Sequence, residues 1–154
     1  MDDVIAARLL HVVAVILWIG GVGMVTTVLL PTLRRRSGSV NHVAIFELIE
    51  HRFARQARWT VPITGLTGLY MVCRLDLWHR FLTTDFWWMH AMVGIWLLFS
   101  LLLFVLEPLF LHAWFQRRAL AATEKTFAAA IWMHRILLAA SLITIAGAVA
   151  GSHG

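Results

Sequence analysis

Charge is scarce in this chain: 14% of its 154 residues are Asp, Glu, Lys or Arg, against 60% hydrophobic residues. A water-soluble fold of that composition would leave broad apolar faces uncovered, so the composition points to a lipid-facing surface. Cysteine is nearly absent. Cys73 stands alone, so no internal disulfide forms and the redox compartment is not legible from cysteine usage. Low-complexity tracts and strong internal repeats are also missing, which argues for one domain over residues 1–154. The opening Met1-Asp2-Asp3 carries no basic region, and the first apolar run has no small-residue cleavage site, so it reads as a span rather than a cleaved leader.

What the chain does have is four apolar stretches, at about residues 4–30, 53–73, 86–110 and 131–150. A helix needs roughly 20 residues at a 1.5 Å rise to cross a bilayer. The expected fold is all-α and integral to the membrane, a four-transmembrane-helix bundle. Arg34, Arg35, Arg36, Arg52, Arg55 and Arg58 precede the second span, and Arg117, Arg118, Lys125 and Arg135 surround the loop before the fourth; Arg8, Arg74 and Arg80 complete the set. Basic loops stay in the cytoplasm, which puts both termini on the periplasmic side of a bacterial inner (cytoplasmic) membrane as a multi-pass protein. The sequence pI near 11.0 then reflects topology and contact with anionic lipid, not nucleic acid.

Smaller features fit the same drawing. Trp59, Trp78, Trp87, Trp88, Trp114 and Trp132 fall near span ends, as interfacial tryptophans do. Val43, Phe46, Leu48 and Ile49, beside Glu47 and Glu50, predict a short amphipathic helix on the cytoplasmic surface. Pro31 and Pro108 mark helix ends, and Pro62 kinks the second helix with a nearby threonine hydroxyl available to the freed carbonyl. Gly20, Gly21, Gly23, Gly65, Gly68 and Gly94 allow close approach of helices or of a flat cofactor.

Histidines inside spans are functional candidates by default. His11 lies about 10 Å into the first helix, and His90 about four residues into the third, so the two share a depth to within about a turn. Two imidazoles on different helices at one depth are the arrangement that clamps a haem iron from both faces. Arg8, three residues before His11, is placed to hold a propionate, and Gly94, four after His90, leaves room for a porphyrin edge. On the cytoplasmic side His51 and His134, with Arg135 beside the latter and His112 further off, form the candidate for a second haem. His42, His79 and His153 read as solvated. Copper is the alternative metal, because Met89, His90 and Met92 bring thioether and imidazole ligands together. On a helix His90 points about 100° away from Met89, so a copper site there needs a ligand from another helix, and gap-filling methionines are the simpler account.

The run from Leu10-His11 to Trp18-Ile19-Gly20-Gly21 resembles the opening helix of the CopD-like and HemJ-type membrane proteins. Phe53-Ala54-Arg55, Ala57-Arg58-Trp59 and Leu66-Thr67-Gly68 resemble their second helix, and Trp88-Met89-His90 the start of the third. The resemblance covers most of the chain and implies a helical bundle with haem bound through His11. One departure stands out: HemJ-type enzymes have a lysine two positions after the third-helix histidine, where this chain has Met92. The expectation from the sequence is therefore a b-type cytochrome-like protein carrying one or two haems b. It would move electrons between a quinone or a periplasmic redox partner and another centre, as a homo-oligomer or within a larger complex. The alternatives are a haem-dependent membrane oxidoreductase acting on protoporphyrinogen IX, and a CopD-like copper transport or resistance protein.

Overall fold

The computed structural model describes residues 2–35 and 41–151, with the side chains of 34–35, 41–44, 46–47 and 108–127 outside the description. The chain is almost entirely helical. α1 (Asp2–Met24) passes through a π-helical turn (Val25–Leu29) into α2 (Leu30–Arg35); α3 covers Asn41–Arg74. Two short 3-10 turns (Leu77–Leu82 and Thr84–Phe86) lead into α4 (Trp87–Leu101), a second π-helical stretch (Leu102–Leu111) and α5 (His112–Gly151). Three helical segments are long and apolar enough to cross a membrane: Asp2–Leu33, Thr84–Glu107 and Ala128–Gly151. They match the predicted first, third and fourth spans. The predicted second span falls within α3, whose arginines dilute its hydropathy. The amphipathic piece expected as a separate interfacial helix is instead the beginning of α3.

None of the prolines ends a helix where the sequence suggested. Pro31 has no N–H to donate, and the preceding turn widens so that the Leu30 N–H reaches back five residues to the Val25 carbonyl. Thr26 and Thr27 hydroxyls add bonds to the Val22 and Gly23 carbonyls at 2.6 and 2.8 Å. Pro108 lies inside the second π-helical stretch, and Pro62 inside α3. The hydroxyls beside Pro62 serve other carbonyls than the freed one: Thr60 donates to Gln56, and Thr64 to Thr60. α3 does end sharply, at Asp76, which adopts the left-handed conformation (φ 48°) that Asp tolerates better than most residues.

α1 and α3 pack antiparallel along their length. From α1 come Ala7, Ala14, Trp18 and Val22; from α3 come Ala54, Ala57, Val61 and Thr64, each set at the three- and four-residue spacing of one helical face. Trp18, Ile19, Val22, Ala57 and Val61 form a core onto which Ile95, Trp96 and Phe99 of α4 and Leu138 and Ile145 of α5 close. A second cluster joins Val25, Leu30 and Leu33 to Ile131. α5 returns alongside α4, with Gly147 against Trp87 and Gly151 against Trp88.

Small residues share the interior with the larger ones. Alanines, threonines and Ser141 are buried, while Ile5, Leu9, Ile16, Leu66, Ile136 and Ile143 are more than half exposed. Helices in lipid gain nothing by hiding aliphatic side chains from the tails around them, and approach each other through small residues.

Four glycines seat rings. A Cβ on Gly21 would overlap Phe53, on Gly65 Trp96, on Gly147 Trp87 and on Gly151 Trp88. Trp96 lies over Gly65 so closely that its indole N–H reaches the Val61 carbonyl at 2.9 Å. Near the start of α1 the Asp3 carboxylate accepts from the Tyr70 hydroxyl at 2.7 Å and from Arg74 at 3.0 and 3.1 Å, fastening the two helix ends. This cluster is solvent-exposed, so Arg74→Gln should lower Tm by only about 1–3 °C in a thermal melt in detergent.

Candidate functional site

His11 projects from α1 onto α3. Its Nδ1 lies 3.0 Å from the Thr64 carbonyl and 3.1 Å from the Thr67 hydroxyl. A carbonyl only accepts, and the Thr67 hydroxyl hydrogen is directed to the Ile63 carbonyl at 2.6 Å, so Nδ1 is the donor to both. In the neutral imidazole the proton then resides on Nδ1 and the lone pair on Nε2. That is the tautomer a metal-ligating histidine takes when a backbone carbonyl orients it. Gly68 eases the seat: a Cβ there would stand 3.3 Å from the His11 Cε1, and the ring would have to give by a few tenths of an ångström.

His90 shares the depth of His11 but serves a different partner. Trp18 of α1 meets Phe99 of α4 edge-on at 4.9 Å; seven residues before each lie His11 and Met92, with His90 only two positions further. His90 is exposed, its Nε2 donates to the Phe81 carbonyl at 3.0 Å, and its ring stands edge-on to Phe81 at 5.4 Å. The two rings thus sit in separate settings, His11 between α1 and α3 and His90 against the 3-10 turn. Arg8 is exposed one turn before His11. Gly94 opens onto a shallow groove of about 460 Å³ between α4 and α5, lined by Ala91, Ile95, Leu98, Ala140, Ile143 and Thr144. That groove lies on the α5 side of α4 and has no α1 residue in its lining.

The inner set is less gathered. His134 is half-buried, and its Nδ1 donates to the Ala130 carbonyl of its own helix at 2.9 Å, again leaving Nε2 as the acceptor. Arg135 lies over the Trp132 ring at 6.0 Å, and His51 is exposed on α3 beside Arg52 and Arg55. Of the remaining histidines, His79 is exposed and bonded to the Asp76 carbonyl. His153, the side chains of His42 and His112, and those of Arg34, Arg35, Arg36, Val43, Phe46, Glu47, Trp114, Arg117, Arg118 and Lys125 lie outside the described residues. Met89 is buried while Met92 is partly exposed, so the two thioethers do not face one space. Among the described residues no group of three or more His, Cys, Asp or Glu side chains gathers as a metal site.

Thr64 and Thr67, the partners of His11, were not singled out as site residues by sequence reasoning. Their three-residue spacing next to Gly68, in the apolar second half of α3, is the signal that marks them. Comparison with family models, with curated proteins and with solved structures returns no match.

Proposed function

We propose that the chain is a haem b-binding integral membrane protein of the b-type cytochrome kind. In this reading it has four spans with both termini on the periplasmic side, and exchanges electrons with a quinone or a periplasmic redox partner. The observation that carries the reading is the state of His11: a half-buried imidazole in an apolar helix, its Nδ1 proton committed to the Thr64 carbonyl and Thr67 hydroxyl, with the lone pair on Nε2.

The residues fit the group unevenly. His11 fits an axial ligand as it stands, and Gly68 keeps its ring against α3. His90 would be the second residue to hold the group, and would have to give up its bond to the Phe81 carbonyl to do so. Arg8, on the His11 face nearer the surface, neutralises a propionate. Bound haem supplies one-electron chemistry, with a potential set by its axial ligands and by the dielectric around them. The apolar helices hold the site away from water, and the hydrogen-bonded Nδ1 makes Nε2 a stronger base.

A reduced-minus-oxidised absorption spectrum of the detergent-purified protein tests this directly, with pyridine extraction to count haem b per chain and metal analysis on the same sample. The expected result is a sharp haem b band with at least one haem per chain. Copper in stoichiometric amount without haem would overturn the proposal in favour of metal transport, and the absence of both would leave a structural subunit.

A further inference from the structure

The outward stripe of α3 changes character along its length. Leu48, His51, Arg52 and Arg55 follow at the three- and four-residue spacing of one helical face and line a surface concavity of about 370 Å³. Trp59 continues the stripe, 73% exposed, and Ile63 and Leu66 carry it on as exposed aliphatics. Among the described residues the charge on this face is only partly paired. Arg58 is held by Glu107 at 3.3 Å, whereas among the described residues Arg52 and Arg55 have no carboxylate partner.

At a 1.5 Å rise, Arg52 lies roughly 10 Å from Trp59, and Trp59 roughly 10 Å from Leu66. Cations, then an indole, then aliphatic side chains is the order in which a phospholipid presents phosphate, ester and acyl chain. We propose that this stripe binds one anionic phospholipid of the cytoplasmic leaflet. Arg52 and Arg55 hold the phosphate with His51 beside them, Trp59 packs at the ester level, and an acyl chain runs along Ile63 and Leu66. The inference rests on the reading of α3 as a membrane-spanning helix with Arg52 at the cytoplasmic surface; it does not depend on haem. It also gives His51 a role other than ligation.

Native mass spectrometry of the purified protein provides the test, with phosphatidylglycerol, phosphatidylcholine or inorganic phosphate added in turn. Phosphatidylglycerol should be retained over phosphatidylcholine. Arg52→Gln with Arg55→Gln should weaken its retention roughly 10- to 30-fold, since each basic group near a membrane surface contributes about fivefold. The charge-preserving pair Arg52→Lys and Arg55→Lys should keep most of it, and Arg74→Gln, at the other end of α3, should leave the retention unchanged. Equal retention of the two lipids, or undiminished binding by the Gln pair, would overturn the proposal. Inorganic phosphate binding as tightly as the lipid would overturn it too, by making the site one for free phosphate. The haem band of the same samples separates this outcome from the fate of the redox reading, and labelling of Cys73 from the periplasmic side reports independently whether α3 crosses.

Discussion

On the proposed reading, His11→Ala should lose the haem b band. With the imidazole that α3 orients through the Thr64 carbonyl and Thr67 hydroxyl removed, pyridine extraction should find the proposed outer haem gone, while circular dichroism in detergent should still report a helical bundle. The ring touches Gly68 at its Cε1 edge but is not part of either buried apolar cluster, so its loss removes a ligand more than it removes packing. His134→Ala should leave the same band in place, because His134 bonds within its own helix and packs near the other end of the bundle. Loss of one shared band in both variants would sink the assignment of the two histidines to different depths. Thr67→Val supplies the finer control. It deletes an acceptor of the Nδ1 proton while keeping the side chain's shape, and loss of such an orienting partner weakens metal affinity by about 10- to 100-fold without abolishing it. A haem retained in full by His11→Ala would dismiss His11 as ligand whatever the other variants do.

The largest structural effect is expected at Gly65. Leucine there meets the Trp96 indole, which already lies against the glycine and donates to the Val61 carbonyl at 2.9 Å. The indole must leave. Trp96 would then lose its packing on the core of Trp18, Ile19, Val22, Ala57 and Val61, and its N–H would be left without an acceptor in an apolar setting. Overpacking of this kind costs about 1–3 kcal/mol, and an orphaned buried donor about as much again. For a chain of this size that corresponds to a fall in Tm of roughly 5 to 15 °C. The double variant Gly65→Leu with Trp96→Ala separates clash from simple loss of glycine flexibility. If the clash is the cause, the leucine fills space that the indole vacated, and the double variant melts above the additive expectation. Strict additivity would mean that Gly65 acts through its own backbone and that the ring is incidental.

The sequence was informative about what must face lipid and less so about what each polar group does there. The three most apolar stretches were legible because an unbroken apolar run of about 20 residues satisfies its backbone groups in hydrocarbon only as a helix, and all three are helices of sufficient length. α3 was harder. Its first half has charges on one face and apolar residues on the other, so it reads as a surface helix, yet it continues without interruption into the partner of α1. Proline was read by its missing donor alone, which predicts a helix end; at Pro31 a widened turn shifts the register by one residue, and the helix runs on to Arg35. The depth of His11 and His90 was an expectation from counting residues alone. Their partners could not be counted out, because which way a ring turns is decided by a neighbouring helix. Gly68 and Thr67 set the orientation of His11, and the Phe81 carbonyl that of His90.

The locality of the His11 contacts bears on how the protein is made. Thr64, Thr67 and Gly68 all belong to the first helical hairpin, as do the Asp3, Tyr70 and Arg74 groups that fasten its open end. A nascent chain that has completed α3 already contains every group bonded to this imidazole, before Trp87 and Trp88 have been followed by the glycines that seat them. The setting of His11 thus needs only the first half of the chain.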